Sequence, residues 1–124
     1  MKVAHLNHVA IHVADLERSR RFYSEVLSLE PMARPAFPFP GAWFRIGKDQ
    51  ELHLIAREAP ADARPPSDRH FALLVESIAD AEKRLRAHRV EFTGPKQRPD
   101  GAMQIFLRDP DGHVIELCTA PARH

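Results

Sequence analysis

Cysteine occurs once in these 124 residues, at Cys118, so no intrachain disulfide framework holds the chain, and a reducing compartment suits it. Long apolar runs are missing too: none approaches the ~20 residues that a membrane span needs. The N-terminal MKVAHLNHVAIHV interleaves polar with apolar residues where a secretory leader needs an unbroken apolar core. The chain is therefore expected in the cytoplasm. Charge of one sign is absent as well, since 18 basic residues are mixed along the chain with 17 acidic ones, leaving a formal +1. That balance excludes the basic stripe demanded by a nucleic-acid backbone. With 44% hydrophobic and 28% charged residues, wholesale disorder is excluded and a single globular domain over 1–124 is expected.

What the chain does have is histidine, eight in all, and a repeat that begins on two of them. HVAIHVAD, from His8 to Asp15, is echoed 62 residues later by HFALLVES, from His70 to Ser77. Each alternates as a half-buried strand does, with Val9, Ile11 and Val13 on one face of the first copy and His8, Ala10 and His12 on the other. Asp15 can cap a helix, and Leu16, Phe22, Tyr23, Val26 and Leu27 give that helix an apolar side ending near Leu29. PMARPAFPFPGAW reads as a proline-bound surface loop. Strands are expected at Trp43–Ile46 and Glu51–Ile55, followed by a linker over Pro60–Asp68. The order then repeats: a strand at His70–Val75, a helix at about Ala79–His88, then strands at Val90–Phe92, Met103–Arg108 and His113–Cys118. The turn DPDG joins the last two.

Leu52-His53-Leu54 falls on Ile115-Glu116-Leu117 at an offset of 63, close to the 62 that relates the first strands. Element order, length and face are preserved together, as in a duplication. The expected fold is α+β, with two βαβββ modules, 1–59 and 69–124, in tandem and forming a cupped mixed sheet. A pseudo-twofold then sets His8 against His70 and His53 against Glu116, each opposite its strand's apolar face. A strand histidine or glutamate by itself more often meets water or a hydrogen-bond partner. Four in symmetric register point to a metal site, because burying them together without a cation leaves polar groups unpaired. Three imidazoles and a carboxylate suit a borderline divalent ion, namely Zn, Ni, Fe, Co or Mn.

LNHVAIHVADLERSRRFYSEVLSLEP, ELHLI, DRHFALLV and above all FLRDPDGHVIEL resemble the vicinal oxygen chelate superfamily, which includes glyoxalases, bleomycin-resistance proteins and extradiol dioxygenases. The resemblance covers nearly the whole chain. It implies paired βαβββ modules around a metal, with ligands at His8, His53, His70 and Glu116, a small-molecule substrate and a homodimer. It also implies Glu116 as the catalytic base, since that is the one carboxylate in the set. At His53 the chain departs from glyoxalase I, which carries a carboxylate there.

Three classes of activity stay open. One is a glyoxalase-like lyase or isomerase acting on a substrate that chelates the metal through neighbouring oxygens. The second is an extradiol-type dioxygenase built on His8, His70 and Glu116. The third is a metal-free antibiotic-binding resistance protein, which four intact metal-type residues disfavour. Lys96 and Arg98, in GPKQRPDG, sit where fosfomycin-type thiol transferases of the same superfamily bear a lysine loop. His12 reads as a solvated rim residue, Cys118 as a small buried hydrophobe, and Phe37, Phe39 and Trp43 as a substrate mouth or as core or dimer packing.

Overall fold

The computed structural model describes residues 1–58, 65–66 and 68–122. Of the linker expected at Pro60–Asp68, only Pro65, Pro66 and Asp68 fall among them. The chain divides into two compact units, Met1–Ala63 and Arg64–His124. In the first, β1 (His8–Val13) is followed by α1 (Leu16–Arg21), β2 (Glu30–Met32), β3 (Gly41–Ile46) and β4 (Gln50–Ala56). In the second, β5 (His70–Leu74) is followed by α2 (Ile78–Ala87), β6 (Phe92–Gln97), β7 (Met103–Arg108) and β8 (Val114–Cys118). Each unit holds a four-stranded mixed sheet, in the order β1-β4-β3-β2 and β5-β8-β7-β6. The fold is α+β with the expected βαβββ order twice over.

Strand pairing turns the sequence echo into one superposition. In the parallel β1–β4 pair His8 lies opposite Glu51 and Ala10 opposite His53; in the parallel β5–β8 pair His70 lies opposite Val114 and Ala72 opposite Glu116. The offsets of 62 on the first strands and 63 on the last therefore match position for position. Alternation does the rest: Val13, Leu52, Leu54 and Phe44 are buried on one side of the first sheet, while His8, Ala10 and His12 are exposed on the other.

Both helices start on side chains that accept from free N-terminal amides. Asp15 takes the Arg18 N–H at 3.0 Å and Ser77 takes the Asp80 N–H at 3.1 Å. The first helix does not run regularly to Leu29. After Arg21 it widens into a π turn over Phe22–Val26, which closes Leu27 N–H onto the Phe22 carbonyl at 3.2 Å, and the chain leaves through Ser28 at φ +60°. Tyr23, on that turn, is wholly buried against Phe44, with ring centroids 6.1 Å apart.

Two strands lie where proline argued against them. β2 includes Pro31 and pairs only with β3, so a residue lacking an N–H costs the sheet nothing on its outer edge. β6 runs on through Gly94-Pro95 to Gln97 because its register with β7 shifts between Thr93 and Lys96, and that bulge absorbs the proline. The DPDG turn is as expected. The buried Asp109 accepts the Asp111 and His113 N–H groups at 2.9 and 2.8 Å, and Gly112, at φ +88°, returns its own N–H to the Asp109 carbonyl. No helix among the described residues is long and apolar enough to cross a membrane.

Leu52 and Ile115 occupy equivalent places in the two units, and both have no exposed surface. Leu52→Ala and Ile115→Ala should each cost about 2–5 kcal/mol in urea unfolding followed by far-UV circular dichroism. A loss under about 1 kcal/mol at either site would contradict equivalent cores.

Candidate metal centre

The face of the first sheet opposite its core carries His8, Ala10 and His12 from β1 beside Glu51, His53 and Ile55 from β4. Ala10, opposite His53, is only a methyl group. The His8 ring lies over the His53 ring, with centroids 4.1 Å apart and planes 16° from parallel. On the other side of the strand Trp43 pairs directly with His53, and its indole stacks on the imidazole at 3.9 Å and 1°. His8 and His53 thus belong to one ring stack.

Each imidazole is also tied at one nitrogen. His8 Nδ1 lies 2.8 Å from Asn7 Oδ1, and His53 Nε2 lies 2.8 Å from Glu51 Oε1. Both partner oxygens accept, so the ring nitrogens donate. In the neutral imidazoles this leaves Nε2 of His8 and Nδ1 of His53 with lone pairs to offer.

The second sheet repeats the plan with different chemistry. Ala72 lies opposite Glu116, as Ala10 lies opposite His53, and His70 reaches across to it: His70 Nε2 stands 3.1 Å from Glu116 Oε1. The other oxygen, Oε2, accepts from Gln104 Nε2 at 3.1 Å. Glu116 is 8% exposed at its side chain, so these two bonds replace the water a carboxylate would otherwise hold. Phe106, opposite Glu116 in the β7–β8 pair, sets its edge or face against His70 at 5.5 Å.

The four expected ligands therefore stand as two pairs, His8 with His53 and His70 with Glu116, one pair in each unit. Among the described residues no group of three or more His, Cys, Asp or Glu side chains is arranged to hold a metal. His12 is exposed on the same face as His8. Cys118 is half-buried in line with Gln104, and burial first, then the nearby Glu116 charge, pushes its thiol up from the ordinary value, which suits an inert wall residue. Lys96 is exposed on β6. Arg98 is paired with Asp100, whose carboxyl is held below its usual value by the Ala102 N–H and by Arg98.

Asn7, Glu51 and Gln104 were not expected at this site. Glu51 sits two residues before His53, so strand periodicity places it on the same face; that signal was available. Gln104 and Asn7 are visible only through contacts.

Two tandem βαβββ units with histidine on each first strand and a histidine or glutamate on each last strand define a class. The chain matches the family model "Glyoxalase/Bleomycin resistance protein/Dioxygenase superfamily" over residues 5–117 and belongs to that superfamily. It is 32% identical to a protein named Glyoxylase I 4 from Arabidopsis thaliana, over 91% of this chain and 69% of that one. It is 29% identical to the lactoylglutathione lyase of Salmonella typhimurium, covering 93% and 92% of the two chains. It is 32% identical to the glutathione transferase FosA of Serratia marcescens, covering 90% and 78%. A glyoxylase/bleomycin resistance protein/dioxygenase domain from Frankia sp. shares the fold, with a TM-score of 0.81 over 96% and 99% of the chains at 23% identity.

Replacing Gln104 by Leu strips the donor from a buried carboxylate oxygen. Gln104→Leu should cost about 1–3 kcal/mol in guanidinium unfolding at neutral pH. Unchanged stability would mean that Glu116 Oε2 has another partner.

Proposed function

We propose that this protein is a metal-dependent lyase or isomerase of the glyoxalase kind, acting on a small substrate that chelates a divalent ion through neighbouring oxygens. The observation that carries the reading is the His70–Glu116 pair, a half-buried imidazole against a buried carboxylate, at positions equivalent to the stacked His8 and His53. His8, His53, His70 and Glu116 are the proposed metal ligands. The donor set fits: three imidazoles and a carboxylate, without thiolate, are what a borderline divalent cation such as Zn, Ni, Fe, Co or Mn takes. When bound, such a cation would draw electron density from two neighbouring substrate oxygens and favour the negative charge that develops when a proton leaves the adjoining carbon.

Glu116 is the proposed proton-transfer residue. Gln104 keeps Oε2 tied to the sheet, so Oε1 is the oxygen that can turn from His70 to a substrate proton, take it, and return it to the neighbouring carbon. Asn7 and Glu51 hold the rings of His8 and His53 so that one nitrogen of each is presented in a fixed direction. The similarity to the FosA transferase supports a second reading, thiol addition to a small chelating substrate at the same residues.

Elemental analysis of protein purified without chelator should find a divalent metal, which a metal-free binding protein would lack. Oxygen consumption with catechols would instead identify a dioxygenase. Within the site, metal affinity should depend on Glu116 more than on His53, because Glu116 brings the only ligand charge that offsets the cation. Glu116→Gln should weaken affinity by at least about tenfold and more than His53→Ala does, both read by competition with a chromophoric chelator on variants shown folded by circular dichroism. If His53→Ala loses the metal while Glu116→Gln keeps parental affinity, the ranking is wrong. We also propose a homodimer, because each sheet leaves edge strands to be covered, β1 and β5 among them. Light scattering at micromolar concentration should give twice the chain mass; a monomer refutes the dimer.

A further inference from the structure

The His8 and His53 imidazoles lie at one end of a longer run of rings. From His8 it passes to His53, to Trp43, to Phe37 and to Phe39, with successive centroids 4.1, 3.9, 6.0 and 5.4 Å apart. The far end is open. Phe37 and Phe39 are 44% and 42% exposed, and they sit on a loop that is built to hold them there.

That loop is fixed by its own chemistry. Pro35, Pro38 and Pro40 restrict its backbone. Its ends are bonded: Phe37 N–H donates to the Pro35 carbonyl at 2.8 Å, and Ala56 N–H to the Pro40 carbonyl at 3.0 Å. Arg34 closes it from inside, donating from Nη2 to the Phe39 carbonyl at 2.7 Å while its guanidinium lies 5.1 and 4.9 Å from the two phenyl centroids. Arg34 Nε is buried there without a hydrogen-bond partner, and a Cβ on Gly41 would come within 3.0 Å of it. Exposed aromatic rings on a preorganised loop are a recognition surface, because little conformational freedom is lost when a ligand stacks on them.

The same geometry says what kind of ligand. Trp43, Phe37 and Phe39 continue from the His8 and His53 end, where the proposed anchor for the substrate oxygens lies. Arg34, the cation packed against the two phenyl rings, already donates to the Phe39 carbonyl. The run offers ring faces and edges.

We propose that Trp43, Phe37 and Phe39 form a specificity subsite for the non-reacting part of the substrate, and that this part is a flat aromatic body attached to a pair of neighbouring oxygens. The inference rests on the metal reading given above, which supplies the anchor for the oxygens. It predicts weaker binding of a peptidic thiol adduct, which brings carboxylates to a run of rings.

Three probes test it on the metal-loaded full chain by calorimetry. 2-Hydroxyacetophenone carries the paired oxygens and a ring, hydroxyacetone carries the oxygens alone, and S-methylglutathione is the peptidic thiol ether. The ring compound should bind at least about tenfold more tightly than the other two, and it should perturb the fluorescence of Trp43, the single tryptophan. Phe37→Ala with Phe39→Ala should bring its affinity down to that of hydroxyacetone. Should that double variant fail to fold, the selectivity of the parental protein decides alone. Metal bound with equal affinities for the three probes, or with S-methylglutathione preferred, overturns the subsite and leaves the metal reading standing. A double variant that keeps ring selectivity but loses its dimeric mass shows that these rings meet a second copy of the chain, which also overturns it. A chain that takes up no divalent metal defeats the reading beneath.

Discussion

Everything at the candidate centre depends on one constraint, the parallel pairing of the first strand of each unit with its last. Parallel neighbours cannot be joined by a tight turn, so a crossover must intervene, and here a helix and two further strands supply it. The pairing also sets register, and register sets chemistry. Because Ala10 faces His53 and Ala72 faces Glu116, a small residue stands beside each ligand-type side chain on the last strand, and the histidine two residues before that alanine can reach it. A slip of one residue would send His8, His53 and Glu116 into the apolar side and bring valines and leucines out.

The two units use that frame unequally. In the first, rings dominate: His8, His53 and Trp43 stack, and the polar atoms are satisfied at the margin by Asn7 and Glu51. In the second, a single buried carboxylate dominates, with a donor on each oxygen. Trp43 and Phe106 are equivalent by register, each opposite the ligand-type residue of its own β-hairpin, yet Trp43 stacks on its partner while Phe106 packs on the histidine across the sheet. One frame thus carries two different side-chain arrangements.

Most of the fold was legible in the sequence because alternation and its echo are local signals. His8 to Val13, Met103 to Arg108, the Asp15 cap and the DPDG turn could be placed from neighbouring residues alone. The strands that were not legible, β2 and the extension of β6, contain proline, and what permits proline there is position in the sheet: an edge in one case and a bulge in the other. The candidate ligands were legible because the repeat superimposes them. Gln104 and Asn7 were not, since a residue that serves another residue is identified by a distance rather than by a pattern.

The buried Asp109, with its two backbone donors, has a consequence for how the second unit assembles. It closes a hairpin, β7 to β8, whose contacts span few residues and can form early, whereas β5 must be brought to β8 across most of the unit, a slow closure of high contact order. His70 and Glu116, 46 residues apart, meet only through that long-range pairing. A chain with the β7–β8 hairpin closed and β5 still apart would thus keep its signature turn and lack the His70–Glu116 pair, so the presence of the motif is no measure of a completed centre.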